Sequence, residues 1–233
     1  MNSNYLSIII PTLNEVGNID LLIENIYKQK NSNKWEIIFV DDNSSDGTLD
    51  KIITNSKTFP NINYIKRSNN RSLSLSCTEG FKRATHNHIL VMDADLQHNP
   101  IYINTLHDKI INDGVDIVIA SRFLDKNSKI NFNYLRKKIS LAAVTLVNMI
   151  VDIKITDPLS GYFIVDKVFL LKVINKLDNK GFKILLEIII KSPVETKISE
   201  IPIDFNNRVS GHSKLSLSVI IDFFKILLIK ITN

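Results

Sequence analysis

The 233-residue sequence predicts an α/β fold in which a mostly parallel β-sheet is covered by helices on both faces. The first observation is that short apolar runs alternate with segments of helical spacing along the first half of the chain. The second is that runs such as residues 6–10 are almost entirely apolar, which is typical of strands buried on both faces. The third is that carboxylates directly follow two runs, at Asp41 and Asp42 and at Asp93 and Asp95. Because ligands of such sheets bind beyond the carboxyl ends of the strands, we expect these clusters to share one edge.

The first half of the chain is predicted to contain five strands with helices between them. Ser45 or Asp46 can cap the helix after the second strand, which carries Leu49, Ile52 and Ile53 at helical spacing. The strands are predicted at residues 6–10, 36–40, 62–65, 88–92 and 115–120. The other helices are predicted at residues 19–27, 74–84 and 101–111.

The second half of the chain is less regular. Helices are predicted at residues 134–151, 168–177 and 183–191, and a strand at residues 197–203. Residues 217–231 form one apolar stripe, with Asp222, Lys225 and Lys230 lying off it. A membrane span needs about 20 mainly apolar residues, so we interpret this segment as an amphipathic helix. It would pack on the core or lie on a membrane surface.

Composition sets broad limits on function. The net charge of +5 and the pI near 9.1 reflect either a general abundance of lysine or an attraction to phosphate groups. The basic residues are dispersed without an aromatic platform, which argues against nucleic-acid binding. Cys77 is the only cysteine, so we expect a reducing compartment and a packed, unreactive side chain. The N-terminus lacks the pattern of a signal peptide and is predicted to enter the first strand directly.

Asp93 and Asp95 are the most informative pair of carboxylates. Side chains alternate along an extended backbone, so two aspartates separated by one residue share a side. Two neighbouring carboxylates repel unless a cation lies between them, and hard oxygen ligands suit Mg²⁺ or Mn²⁺. Gln97 can add a carbonyl oxygen. The competing interpretation is that both aspartates merely cap the following turn.

The other clusters suit the rest of a nucleotide. Asp42 can accept a hydrogen bond from a base, and Pro11 and Val40 can lie against its ring. Positive charge for phosphate groups is available from Arg122, Arg208 and Lys214. Taken singly, each of these basic residues is more often a solvated surface group.

Six segments together carry a family resemblance. They are "IIIPTLNE", "IFVDDNSSDGT", "VMDADLQHNP", "ASRF", "DPLSGYFIV" and "IPIDFNNRVSGHSKLS", in that order. The chain thus resembles the family 2 glycosyltransferases of the polyprenyl-phosphate sugar-transferase group, in particular the dolichyl-phosphate mannosyltransferases. The resemblance implies a GT-A fold, with a catalytic domain at residues 1–216 and the amphipathic helix at residues 217–233. One departure is Ser72, where the family usually has glycine; a positive φ there would strain the serine.

The resemblance also implies a role for each matching residue. The nucleoside would contact Pro11, Leu13, Glu15, Val40 and Asp42. The metal ion would bind Asp93, Asp95 and Gln97, and the diphosphate would lie beside these residues, Ala94, Arg122, Arg208 and Lys214. The acceptor phosphate would bind Arg122, Arg136 and Arg208. Catalysis is expected to depend on Asp95, Arg122, Arg208 and Lys214.

The implied reaction is transfer of a hexose, mannose from GDP-mannose, to a polyprenyl or dolichyl monophosphate. Inversion would give a β-linked product, with Mg²⁺ or Mn²⁺ as cofactor. The enzyme would be cytoplasmic and peripheral on the cytoplasmic face of a membrane. Two alternatives are a family member that uses UDP-glucose or UDP-N-acetylglucosamine, and a non-catalytic homologue that only binds nucleotide. No histidine occupies an obvious catalytic position, and His98 is expected to be a bystander.

Overall fold

The computed structural model describes residues 5–68, 71–125, 127–128, 134–150, 154–179 and 183–205. These residues form a seven-stranded sheet in the order β3-β2-β1-β4-β6-β5-β7. The strands are β1 (Leu6–Thr12), β2 (Trp35–Asp41), β3 (Ile62–Lys66), β4 (His88–Val91), β5 (Ile117–Ser121), β6 (Phe163–Asp166) and β7 (Ile198–Pro202). The helices are α1 (Ile19–Tyr27), α2 (Thr48–Thr58), α3 (Leu73–Arg83), α4 (Ile103–Asp113), α5 (Tyr134–Ile150), α6 (Lys167–Val173) and α7 (Ile184–Lys191).

The sheet is mostly parallel, as predicted, with one strand that the sequence did not reveal. Strand β6 runs antiparallel to both of its neighbours, β4 and β5, whereas the other pairings are parallel. Its four residues are followed at once by α6, so no turn signal separates the strand from the helix. Because β6 is antiparallel, it begins at the edge where β4 ends, and Phe163 pairs with Val91. The segment before β6 is therefore brought to the carboxyl edge of the parallel strands.

The core lies in two layers, one on each face of the sheet. Ile8 and Ile10 of β1 pack on one face with residues of α1, α2 and α4. Ile9 points to the opposite face, where it packs with residues of α3, α5, α6 and α7. This division follows from the alternation of side chains along a strand, and it explains why β1 is apolar at successive positions.

Helix α2 begins differently from the prediction. Gly47, with φ 93°, is the N-cap residue, and a glycine has no side chain that could cap the helix. Asp46 takes that role from one position further back, because its Oδ1 accepts the Thr48 N–H at 3.0 Å. Asp46 rather than Ser45 therefore stabilises the helix start. The predicted helix at residues 217–231 lies outside the described residues.

Gly80 lets α3 approach β1 closely. A Cβ atom at this position would be 2.4 Å from Cγ2 of Ile9. We expect Gly80→Ala to lower the free energy of unfolding by about 1–3 kcal/mol, because a fully buried β-branched side chain must move. Urea denaturation measures the change, with the exposed Lys82→Ala on the same helix as the control. Equal stability of the two variants would contradict this packing.

Candidate active site

A cleft with a volume of about 230 Å³ opens at the carboxyl edge of the parallel strands. The predicted residues that line it are Pro11, Leu13, Glu15, Asp42, Asp93, Ala94, Asp95, Gln97 and Arg122. Val40 is instead fully buried in the core, beside Ile9 and Ile38, and does not line the cleft. Arg136 lies on α5, and Arg208 and Lys214 lie outside the described residues. The structure thus brings together the clusters that follow four strands of the predicted sheet.

The two aspartates reach the cleft by a different route from the predicted one. Strand β4 ends at Val91, before the pair, so the alternation of side chains along a strand does not apply to them. A bent loop carries them instead, and Leu96 has a left-handed φ of 63°. The side chain of Asp93 is 42% exposed, whereas Asp95 is 4% exposed. Both carboxylates nevertheless line the same cleft.

Asp95 both stabilises a turn and lines the cleft. Its Oδ1 accepts the backbone N–H of Gln97 at 3.1 Å, so it does stabilise the turn. This contact fixes the carboxylate while it lines the cleft together with Asp93 and Gln97. The corner therefore offers two carboxylates and one amide oxygen, a set of hard oxygen donors.

His98 is buried next to Asp93 and anchors the loop that follows β4. Its Nδ1 accepts the Asp93 N–H at 2.9 Å, which places the ring proton on Nε2. The ring is buried and stacks on Tyr162, with 5.1 Å between the ring centroids. The bystander role expected for His98 therefore becomes a structural one. In the sequence, the only indication of this structural role was that His98 lies three residues after Asp95.

Gly161 keeps the space beside Asp93 open. A Cβ atom there would be 3.2 Å from Asp93 Oδ2 and 3.1 Å from His98 Cε1. We expect Gly161→Ala to displace the carboxylate and to weaken nucleoside-diphosphate binding in the presence of Mn²⁺ roughly tenfold. Calorimetry measures the affinity. Gly114→Ala is the control, since Gly114 has φ 58° at the end of α4, so its variant should lose stability but retain affinity. Unchanged binding by the Gly161 variant would contradict this assignment.

Asp42, which lines the cleft, is held from two sides. Arg67 donates from Nη1 to its Oδ1, and the Ser72 N–H donates to its Oδ2 at 2.8 Å. Burial raises the pKa of Asp42, and the neighbouring guanidinium opposes that rise. Arg67 also donates from Nε to Glu79 at 3.0 Å. Sequence reasoning missed Arg67, because a single arginine after β3 carries no motif.

Ser72 is not strained. Its φ is −161° and its ψ is 124°, which is extended backbone that any residue adopts. Its hydroxyl caps α3 by accepting the Leu75 N–H at 3.3 Å. The departure from the family's glycine therefore causes no backbone strain at Ser72 and supplies a helix cap.

The two loops that would surround a nucleoside brace each other. The Asn14 N–H donates to Ser44 Oγ at 2.9 Å, and the Ser45 N–H donates back to Asn14 Oδ1 at 2.9 Å. Further along, the Glu15 N–H donates to Thr48 Oγ1 at 2.8 Å. These hydrogen bonds join the segment after β1 to the segment after β2. Leu13 and Glu15 are therefore held in place by these contacts, and Pro11 is held as part of β1.

Arg122 is clamped by a buried carboxylate. Its Nε and Nη2 donate to Asp157 Oδ2 and Oδ1 at 2.6 and 2.8 Å, and its backbone N–H donates to Oδ2 at 3.1 Å. Asp157 is fully buried, and the rings of Phe123 and Phe205 lie 5.3 Å from the guanidinium carbon. Burial lowers the pKa of Arg122, but the attraction of Asp157 gives a net rise. The guanidinium thus stays charged at the cleft. Asp157 was missed, although it begins the segment "DPLSGYFIV".

The remaining wall of the cleft combines apolar and polar residues. Its apolar residues are Leu73, Cys77, Val91, Leu159, Ile184, Leu185, Leu186 and Phe205, and its polar residues include Thr12, Ser76, Ser160 and Lys183. Cys77 is fully buried, which confirms the expected packed side chain, and burial raises the pKa of its thiol. Across the residues that the structure describes, no helix is both long and apolar enough to cross a membrane.

Comparison with known proteins identifies the family. The sequence model of Glycosyl transferase family 2 matches residues 7–190. The dolichol-phosphate mannosyltransferase of Pyrococcus furiosus is 38% identical over 223 residues, which cover 94% of this chain and 61% of that protein. The protein of the same name from Saccharomyces cerevisiae is 31% identical over 232 residues, covering 94% of this chain and 84% of its own length. The chain thus spans less than two thirds of the Pyrococcus protein.

A solved structure shares the fold. Glucosyl-3-phosphoglycerate synthase from Mycobacterium tuberculosis, in complex with Mn²⁺, uridine diphosphate and phosphoglyceric acid, superposes with a TM-score of 0.76. The match covers 97% of this chain and 78% of that chain at 14% identity. It agrees with the predicted GT-A fold of a mostly parallel sheet flanked by helices. The family model matches most of the chain and the curated relatives are more than 30% identical to it, so this chain belongs to glycosyl transferase family 2.

Proposed function

We propose that the chain transfers mannose from GDP-mannose to a polyprenyl monophosphate such as dolichyl phosphate. One observation carries the proposal: the cleft at the carboxyl edge holds Asp93, Asp95 and Gln97 together with the clamped guanidinium of Arg122. This arrangement suits a substrate whose diphosphate needs both a cation and a fixed positive charge. The names of the relatives support mannose as the sugar and dolichyl phosphate as the acceptor.

The corner of the cleft fits Mg²⁺ or Mn²⁺. Asp93, Asp95 and Gln97 would hold the ion through oxygen atoms, which both metals prefer. Within the described parts of the chain, no group of three His, Cys, Asp or Glu side chains could hold a metal unaided. Phosphate oxygens of the donor would supply further ligands, as is usual for Mg²⁺ at nucleotide sites. When bound, the ion would neutralise charge on the departing diphosphate.

The residues of the chain bind and orient the two substrates. The nucleoside would lie on the braced loops beside Pro11, Leu13, Glu15 and Asp42. The acceptor phosphate is already an anion, so its oxygen can attack the anomeric carbon without a general base. Consistent with this, His98 is the one described histidine that lines the cleft, and its Nδ1 is engaged by the Asp93 N–H. Displacement from the opposite side would break the bond to the diphosphate and give a β-linked product.

The proposal also includes three basic residues whose side chains the structure does not describe. Arg208 and Lys214 would contact the phosphate groups of the donor and the acceptor, and Arg136 would contact the acceptor phosphate. The catalytic domain would span residues 1–216. These assignments rest on the motifs of the sequence.

Because the proposed acceptor is a lipid, we propose that the reaction takes place at a membrane surface, on its cytoplasmic face. Helix α5 has an exposed apolar side that suits contact with a membrane, because Leu141 is 40% and Met149 is 76% exposed. Val144 and Val147 on its inner side are buried. Lys138 is exposed near the start of the same helix and suits anionic headgroups. We propose that α5 and the amphipathic segment at residues 217–233 lie together on the membrane.

A transfer assay tests the proposed reaction. Protein is incubated with vesicles containing polyprenyl phosphate and with labelled GDP-mannose, UDP-glucose or UDP-N-acetylglucosamine, with and without Mn²⁺ or Mg²⁺. We expect chloroform-soluble label from GDP-mannose only, dependent on the metal, with a β linkage by NMR. Label from a UDP-sugar would select the alternative donor. No lipid-linked label from any donor, or an α linkage, would overturn the proposal.

A further inference from the structure

Glu200, on edge strand β7, is a half-buried carboxylate that lines no part of the cleft. Its Oε1 accepts the Thr156 hydroxyl at 2.8 Å, the Thr156 N–H at 3.1 Å and the Asp157 N–H at 3.2 Å. Its Oε2 accepts the Thr156 N–H at 2.9 Å. Each of these partners donates to Glu200, an arrangement that suits an ionised carboxylate with both oxygens accepting. A single side chain on β7 therefore fixes the backbone at two successive residues beside the cleft.

The Thr156 hydroxyl extends this network towards β5. Because it donates its proton to Glu200, it must accept the proton of the Ser121 hydroxyl, 2.5 Å away. Ser121 Oγ is then oriented to accept the Phe123 N–H at 3.1 Å. The hydrogen bonds thus run from Glu200 to the residues on both sides of Arg122.

Asp157 forms the second branch of the same network. Glu200 holds its backbone N–H, and its side chain makes three hydrogen bonds with Arg122. Glu200 and Asp157 carry like charges, and burial together with that neighbour raises the pKa of Glu200. The guanidinium of Arg122 is paired with Asp157 and so partly neutralises the charge that faces Glu200. The three groups therefore depend on one another.

We propose that Glu200 is a positioning residue, which orders Thr156 and Asp157 so that Arg122 presents its guanidinium to a phosphate group in the cleft. This inference rests on the proposed function, because it assigns Arg122 a phosphate to bind. Glu200 touches neither substrate and acts through the two branches described above. A displaced guanidinium would bind the phosphate in the wrong place, and small misplacements of this kind have large kinetic costs.

The kinetic experiment compares Glu200→Ala with a matched carboxylate, Glu36, near the amino end of β2. Glu36 also accepts a backbone N–H and hydroxyls, from Thr85 and Ser7, but lies far along β2 from the cleft. We expect Glu200→Ala to lower kcat/KM for polyprenyl phosphate roughly 10- to 100-fold. Glu200→Gln keeps one acceptor oxygen and should retain part of the activity, and Glu36→Ala should remain close to wild type. Combined with Arg122→Lys, the effect of Glu200→Ala should be less than additive.

A second readout does not need the reaction. The Nε–H signal of Arg122 in an NMR spectrum, assigned by its loss in Arg122→Lys, should be protected from exchange in the wild type and in Glu36→Ala. We expect that protection to be lost in Glu200→Ala and partly kept in Glu200→Gln. If no donor is turned over by the wild type, the proposed reaction fails while this measurement still decides the role of Glu200. Retained protection in both Glu200 variants, or equal kinetic effects of Glu200→Ala and Glu36→Ala, would overturn the inference.

Discussion

Asp95→Asn is expected to lower kcat of mannosyl transfer roughly 1000-fold while the chain remains folded. Asparagine keeps the shape of the side chain, and its carbonyl oxygen can still accept the Gln97 N–H that Oδ1 of Asp95 accepts at 3.1 Å. The turn should therefore survive, whereas the negative charge that would hold the cation is lost. Steady-state kinetics with saturating GDP-mannose and Mn²⁺ measure the change.

The matched control for this variant is Asp108→Asn. Asp108 is exposed on α4 and does not line the cleft. The Asp108→Asn substitution removes the same charge from the protein as Asp95→Asn. Comparing the two variants therefore separates a local effect on the site from an effect of net charge. Wild-type kcat in Asp95→Asn, or an equal loss in both variants, would show that the carboxylate corner does not serve the reaction.

Asp157→Ala is expected to lower the free energy of unfolding by about 3–5 kcal/mol, because it leaves a buried guanidinium without its partner. Asp157 is fully buried, and the Arg122 side chain is only 13% exposed. Replacing both residues, as in Asp157→Ala with Arg122→Met, removes the uncompensated charge and should recover much of the stability. Transfer activity should not recover, since the proposed phosphate ligand is gone. Chemical denaturation and the transfer assay measure the two effects.

A surface ion pair provides the comparison for this prediction. Lys109 and Asp113 lie 2.8 Å apart on α4, where water screens their charges. Asp113→Ala should therefore change stability very little. If Asp157→Ala were as mild, or if the double variant were no more stable than Asp157→Ala, the Arg122–Asp157 pair would not be the buried clamp described above.

The sequence predicted the parallel part of the fold because its physical signals are local. Strands β1, β2 and β4 are buried apolar runs that end in polar residues, and the same signal predicts where their carboxyl ends meet. Strand β6 has only four residues and passes directly into α6, so its pattern could not be separated from that of the helix. Its antiparallel direction depends on pairing with β4 and β5, which are distant in sequence.

In the candidate site, too, the residues of a local motif were predicted and the partners distant in sequence were not. Asp93, Asp95 and Gln97 are close in sequence, so their motif could be recognised directly. Arg67 and Asp157 work as partners of Asp42 and Arg122, and those contacts are made across 25 and 35 residues of sequence. A charged residue that neutralises another has no spacing rule, so only the folded chain reveals it.

The most direct test of the account is the dependence of GDP affinity on a divalent cation. Calorimetry would compare the wild type with the variant that carries both Asp93→Ala and Asp95→Ala, in Mn²⁺ and in a chelator. We expect Mn²⁺ to strengthen GDP binding by the wild type and to have no effect on the double variant, whose affinity should match that of the wild type in chelator. Equal strengthening by Mn²⁺ in both proteins would contradict the assignment of this corner as the metal and diphosphate site.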